Sequence, residues 1–137
     1  MDTIKFLDVL KNNSVHRDEL ISTFIKVLDS GDLIGGPNCK EFEAEFANYC
    51  DADYCVGVGN GFDGLSLVLR SWIELGVVSP GDEVIVPANT FFASALAIVE
   101  NGLVPVLVAP RKDTYNISIE SLEEGISPLT KIIMPVH

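Results

Sequence analysis

The sequence predicts an α/β fold, a largely parallel sheet with flanking helices. Three observations predict it. From residue 54 onward, short apolar runs alternate with longer segments of helical periodicity, the pattern of repeated strand–helix–strand units. Those apolar runs are apolar almost throughout, which suits strands covered on both faces. The run Tyr54 to Val58 leads through Gly59-Asn60-Gly61 directly into a helical segment, a strand–glycine turn–helix order that favours close approach of an anion.

The elements follow in order. Residues 14–30 read as one amphipathic helix, with Leu20, Ile21, Phe24, Ile25 and Leu28 at helical spacing, Ser14 as N-cap and Gly31 as C-cap,. Asp32-Leu33-Ile34-Gly35-Gly36-Pro37 is a loop of helix breakers. Pro37 suits the first turn of the next helix, which carries Phe42, Phe46 and Tyr49 or Cys50 on one side. Residues 1–53 are therefore expected to form an N-terminal helical segment, and residues 54–137 the α/β part.

Within that part, Tyr54 to Val58 is the first expected strand. Phe62 to Leu75 is a helix whose buried face is Leu65, Val68, Leu69, Trp72 and Ile73, ended by Gly76 and Ser79-Pro80-Gly81. Glu83 to Val86 is the second strand, Thr90 to Asn101 the second helix closed by Gly102, and Val104 to Val108 the third strand. Ser118 caps a short third helix, and Lys131 to Val136 is the fourth strand. The chain stops on this apolar strand at His137. A bare apolar edge is unmanaged in a complete domain, so the sequence is expected to be the opening part of a longer chain.

Composition narrows the function. Apolar residues make up 47% of the 137 positions, enough for a core, and the net charge is -11. Such a charge repels phosphate backbones and anionic lipid, and the lysines and arginines are scattered, so neither nucleic acid nor a membrane surface is an expected partner. The start lacks the basic and apolar stretches of a signal peptide. The apolar run Phe91 to Val99 falls far short of the ~20 residues of a membrane span. A cytoplasmic location is expected. Cys39, Cys50 and Cys55 are odd in number and have no histidine nearby, so no metal site is expected and free, buried thiols are.

The segment Val56-Gly57-Val58-Gly59-Asn60-Gly61-Phe62-Asp63-Gly64 carries the chemistry. Its glycines and the free amides of a helix start favour phosphate. Which phosphate is left open. The literal Gly59-x-Gly61-x-x-Gly64 is the dinucleotide fingerprint of a Rossmann-type NAD(P)-binding oxidoreductase. That fingerprint also wants an acid at the end of the following strand, which here reads Val86-Pro87-Ala88-Asn89. A turn of purely structural use in a non-catalytic α/β domain is the third reading.

Beyond spacing, the segment Asn60-Gly61-Phe62-Asp63-Gly64-Leu65 resembles the Ser-Gly-Thr-x-Ala-Leu motif of the DegT/DnrJ/EryC1/StrS sugar aminotransferases. Its Asn-Gly start resembles the branch acting on nucleotide-linked 3-keto-6-deoxyhexoses. Further landmarks occur in the family's order: Ser30-Gly31 with Ile34 and Gly36; Phe42-Glu43-x-Glu45-Phe46-Ala47; Pro80-Gly81-Asp82-Glu83-Val84-Ile85-Val86-Pro87; Asn89-Thr90-Phe91; Thr114-Tyr115-Asn116-Ile117; and Thr130-Lys131 with Pro135-Val136-His137. The chain departs from the pattern at Phe62, where the family has threonine, and at Asp32 and Leu33, where it usually has aromatics.

The resemblance implies the N-terminal part of a fold-type I large domain, with pyridoxal 5'-phosphate as cofactor. It implies amino transfer, with glutamate as donor, to a nucleotide-linked keto-deoxy sugar in a homodimer. It places Gly61, Phe62 and Asp63 on the cofactor phosphate through main-chain N–H groups, with Asn60 shaping the turn. Phe91 matches the position whose ring stacks on the pyridine ring. Asn89 and Thr90 are expected to cap the helix that follows. The lysine that forms the Schiff base and the aspartate that pairs with the pyridine nitrogen lie, in the family, beyond the Pro-Val-His strand. No residue of this chain is therefore expected to be catalytic. His137 falls in a structural segment, His16 on a surface helix, and Asp82 and Glu83 at a solvated strand entry.

Overall fold

The computed structural model describes residues 4–137. They divide into two compact units, Met1–Gly57 and Val58–His137.

The first unit is helical. Its helices are α1 (Val9–Ser14), α2 (Arg17–Ser30) and α3 (Pro37–Tyr49). Residues 14–30 are thus not one helix, and Ser14 ends α1 instead of capping α2. The reason is local. Asp8 caps α1 by accepting from the Lys11 amide at 3.0 Å, and His16, with φ -111° and ψ 13°, interrupts the helical run before α2. Gly31 closes α2 as expected, with a left-handed φ of 74° that costs glycine nothing,. Pro37 occupies the first turn of α3. On α3 the rings of Phe42 and Phe46 stack at 5.5 Å, and Phe46 meets Tyr49 at 6.1 Å. The apolar stripe of α2 is exposed to solvent.

The second unit holds α4 (Gly61–Glu74), β1 (Glu83–Pro87), α5 (Phe92–Glu100), β2 (Val104–Val108), α6 (Ile119–Gly125) and β3 (Thr130–Ile133). The strands pair in the order β2-β1-β3, all parallel. Ile85 at the centre lies opposite Val106 on one side and Ile133 on the other. Val84, Ile85 and Val86 are fully buried, each contributing about 1.5–3 kcal/mol of hydrophobic stabilisation. Val84 and Val86 face a cluster with Leu69 of α4 and Ala97 and Ile98 of α5. Ile85 faces the other way, toward Gly125 of α6. The central strand is therefore covered on both faces, whereas Leu107 and Ile133 on the edge strands stay exposed. The connection from β1 to β2 runs through α5, and the return from β2 past β1 to β3 runs through α6. Right-handed crossovers in opposite directions put those helices on opposite faces. Ligands of such sheets bind outside the carboxyl ends of the strands, where the direction switches.

Several sequence expectations need correction. Tyr54 to Val58 is not a strand: no strand among the described residues pairs with it, and Tyr54 is 88% exposed. An apolar run becomes a strand only when a neighbour accepts its backbone hydrogen bonds. Here the Gly57 amide instead donates to Glu43 Oε1 at 2.7 Å. The last strand is Thr130–Ile133 and stops before Val136, because Pro135 has no N–H for the ladder; Met134 adds one bond to the Ile85 carbonyl at 2.8 Å. On α4, Leu69 is buried and Leu65 and Ile73 pack on the core, whereas Val68 and Trp72 are exposed. The thiols are free but not buried: Cys39 and Cys50 are exposed and Cys55 is half-buried. No helix among the described residues is long and apolar enough to cross a membrane.

Candidate functional site

The glycine-rich loop enters α4 through Asn60, whose extended backbone (φ -165°, ψ 175°) makes it the N-cap. Its side-chain oxygen accepts from the Asp63 amide at 3.0 Å, and its side-chain NH2 donates to Asp63 Oδ2 at 3.0 Å. The Gly64 amide donates to the Asn60 carbonyl at 3.1 Å. A helix start has four amides without intrahelical partners. Here Asp63 and Gly64 are provided for within the turn, and the amides of Gly61 and Phe62 have no hydrogen-bond partner among the described residues. Nothing lies within 4 Å of a Cβ built on Gly61. These two adjacent N–H groups stand at the positive end of a 14-residue helix, the kind of place that favours an anion.

The glycines of the loop are not there for left-handed backbone, since none of Gly57, Gly59, Gly61 and Gly64 has positive φ. At Gly59 the value is lack of bulk. A Cβ on Gly59 would fall 2.7 Å from Asp63 Oδ2. Phe62, which stands where the resembling motif has threonine, packs its ring against the core cluster. Its side chain points inward and leaves its amide free. Asp63 puts its carboxylate at the helix start, where its charge opposes an incoming anion, and its own amide is already engaged.

Phe91 lies at the carboxyl end of the sheet, in the connection from β1 to α5, and is the N-cap of α5. It is 72% exposed and Phe92 is 66% exposed, so neither is a core residue. Their rings meet at 4.7 Å with 54° between planes. Asn89 and Thr90 do not cap α5. Thr90 Oγ1 is 2.8 Å from Ser94 Oγ, and Asn89 Nδ2 donates to the Tyr115 carbonyl at 3.0 Å. The loop end and Phe91 belong to different helices, α4 and α5. These pack together, with Asn101 Nδ2 donating to Ser66 Oγ at 2.9 Å. Among the described residues no hydrogen bond joins the two starts.

Glu83 is more than a solvated strand entry: Oε2 accepts from the Ser127 and Thr130 hydroxyls, fixing the loop before β3 to the start of β1. His16 caps α2 without a side-chain bond, and His137 is exposed after β3. No group of three or more potential metal ligands occurs among the described residues. The Asn89–Tyr115 contact, with Tyr115 at a φ of 60°, escaped sequence reasoning. No residue pattern marks a tyrosine for left-handed backbone.

Comparison with known proteins shows the family of the chain. The model of the DegT/DnrJ/EryC1/StrS aminotransferase family matches residues 15–137. The chain belongs to that family. The dinucleotide reading of Gly59, Gly61 and Gly64 gives way to it. As a DegT/DnrJ/EryC1/StrS member, the chain is 48% identical over 134 residues to the dTDP-3-amino-3,6-dideoxy-alpha-D-galactopyranose transaminase of Aneurinibacillus thermoaerophilus, covering 98% of this chain and 36% of that one. It is 43% identical to the dTDP-3-amino-3,4,6-trideoxy-alpha-D-glucose transaminase of Streptomyces venezuelae, covering 98% and 34%. Among solved structures, S. venezuelae DesV in complex with a ketimine intermediate superposes with a TM-score of 0.87 at 41% identity, over 100% of this chain and 36% of that one. Bacillus subtilis NtdA with bound cofactor PMP gives 0.84 at 34% identity, over 100% and 31%. The chain spans about a third of the length of the relatives it matches.

Proposed function

We propose that this chain is the cofactor-phosphate end of a pyridoxal 5'-phosphate-dependent aminotransferase. The full-length protein moves an amino group from glutamate to a nucleotide-linked 3-keto-6-deoxy sugar, as a homodimer in the cytoplasm. The observation that carries the reading is the start of α4 in a chain of this family: two adjacent, unpartnered amides, Gly61 and Phe62, beside open space. The named activities of the relatives support the substrate class.

The residues fit the group. The Gly61 and Phe62 amides donate to its phosphate, and the helix dipole adds roughly 0.3–2 kcal/mol. Asn60 and Asp63 hold the turn in shape. The Asp63 amide joins the phosphate contacts only when the Asn60 side chain releases it. Phe91 offers its exposed face to the pyridine ring, excluding water from that side. When bound, the cofactor supplies an electron sink for the bond changes of amino transfer.

None of the chain's lysines serves as the nucleophile. Lys5, Lys11, Lys26 and Lys40 precede the phosphate loop, Lys112 lies in the loop after β2, and Lys131 is the second residue of β3, with Nζ 3.5 Å from the Pro128 carbonyl. The 137-residue chain alone is therefore inactive, because positioned covalent catalysis needs that group.

The test is a glutamate assay with a dTDP-linked 3-keto-6-deoxyhexose, run on this chain and on a protein of full family length. Release of 2-oxoglutarate with the long form alone is the expected result. No turnover by the long form with any nucleotide-linked 3-keto sugar sinks the substrate assignment. Equal turnover by the short chain sinks the placement of the catalytic groups outside it.

A further inference from the structure

Tyr115 has a φ of 60°, a backbone region that bulky residues avoid. Its loop is tightly closed. Pro110 bridges to Ile117, the Arg111 amide donates to the Asn116 carbonyl at 2.8 Å, and the Tyr115 amide donates to the Arg111 carbonyl at 3.0 Å. The Arg111 guanidinium forks onto the Asp113 carboxylate at 3.0 and 2.8 Å. This loop leaves the carboxyl end of β2, and one side-chain bond ties its strained residue to the neighbouring exit of β1: Asn89 Nδ2 donates to the Tyr115 carbonyl at 3.0 Å. Strain of this kind persists only where its surroundings impose it, and it gathers at ligand clamps.

Asn89 stands two residues before Phe91, inside a turn closed by the Thr90 amide on the Pro87 carbonyl at 3.2 Å. On the far side, the Ser94 amide donates to the Phe91 carbonyl at 3.0 Å, and the Ser94 hydroxyl meets Thr90 Oγ1. The Phe91 ring itself is exposed, with Phe92 as its aromatic neighbour. The backbone of the turn therefore sets the direction in which the side chain leaves the chain, with Phe92 beside the ring.

We propose that Asn89 is a positioning residue for Phe91. By holding the Tyr115 carbonyl it locks the β1 exit turn to the loop after β2, and so aims the Phe91 ring at a planar ligand seated outside the carboxyl ends of the strands. The inference rests on the assignment of Phe91 to cofactor stacking, and it adds a coupling between two loops that the stacking alone does not require.

The test uses the protein of full family length, with Asn89→Ala and Asn89→Asp. The aspartate has nearly the same shape as asparagine, but when ionised it has no proton to donate and faces a carbonyl oxygen. Pyridoxal 5'-phosphate is titrated against the apo-protein, and the induced circular dichroism of its visible band is read at saturation. Both variants are expected to keep the far-ultraviolet spectrum, to bind about tenfold more weakly, the scale of one hydrogen bond, and to lose a large part of the induced band. Wild-type affinity with an unchanged band overturns the proposal. So does a lowered melting midpoint with an unchanged band, which marks a structural contact only. If the alanine variant does not fold, the near-isosteric aspartate carries the comparison. A wild-type protein that binds no pyridoxal phosphate refutes the cofactor assignment itself and is seen before any variant is made.

Discussion

The Asp63 carboxylate occupies the space that a side chain at residue 59 would need: a Cβ built on Gly59 falls 2.7 Å from Asp63 Oδ2. That oxygen is held in place by Asn60 Nδ2 at 3.0 Å. The glycine, the cap and the acid form one unit at the start of α4.

Gly59→Ala should displace the carboxylate and break its bond to Asn60. The expected loss is about 0.5–1.5 kcal/mol, the net value of one such bond. Because the clash is with Asp63, the same change in an Asp63→Ala background should cost less, with a coupling of at least about 0.5 kcal/mol. Urea unfolding of the four proteins measures it. Strict additivity would mean the two residues do not meet.

Gly125→Ala tests the other face of the sheet. Alanine is favoured over glycine in a helix by about 1 kcal/mol. Against this, the new Cβ would lie 2.7 Å from Val108 Cγ1 and 3.6 Å from Ile85 Cδ1. Val108 and Ile85 are buried and cannot move aside freely, and overpacking typically costs about 1–3 kcal/mol. The clash outweighs the propensity, so net destabilisation is expected. Val108→Ala should relieve it. A stabilised Gly125→Ala protein would show that α6 stands further from β2 than the structure places it.

The Arg111 guanidinium beside Asp113 holds that carboxyl below its ordinary 3.8, at about 2. The main cause is the hydrogen bond from Arg111. A depressed carboxyl stabilises the fold above its ordinary value, and the contribution fades as pH falls from there through about 2,. Arg111→Ala should return the Asp113 titration toward 3.8 in a carbon-13 carboxyl experiment. Any stability difference between variant and wild type should shrink across that same acid window. An unmoved Asp113 midpoint would reject the ion pair.

Phe91→Ala removes an exposed ring, so stability should change by no more than about 0.5 kcal/mol. In the protein of full family length it should weaken pyridoxal phosphate binding by roughly 3- to 10-fold, the range of one aromatic pair. Phe91→Tyr should retain binding. Equal affinity for the alanine variant and wild type would remove Phe91 from the cofactor site.

Much of the fold was legible because local chemistry sets it. Gly31 ends a helix through a backbone angle only glycine adopts freely, Pro37 opens one, and Ser118 caps one with its hydroxyl on the Ser121 amide at 3.0 Å. The apolar runs Glu83 to Val86 and Val104 to Val108 became parallel strands, the first buried and the second, at the sheet edge, exposed at Val104 and Leu107. The candidate loop was found for the same reason, since glycines before a helix announce room and free amides. Expectations failed where the outcome depended on a partner. Asn89 reads as a cap from its neighbours, yet its side chain is used 26 residues away.

By itself, then, the sequence determined the family landmarks, the alternation of strand and helix and the glycine turn, because these rest on backbone propensity, caps and the residues next in line. The tertiary structure alone decided that Tyr54 to Val58 stays unpaired, that Phe62 turns its ring into the core and leaves its amide free, and that the Asn89 side chain reaches the Tyr115 carbonyl. A hydrogen bond or a packed ring needs a second element at the right distance. That distance is a property of the assembled layers and is written at no single position of the chain.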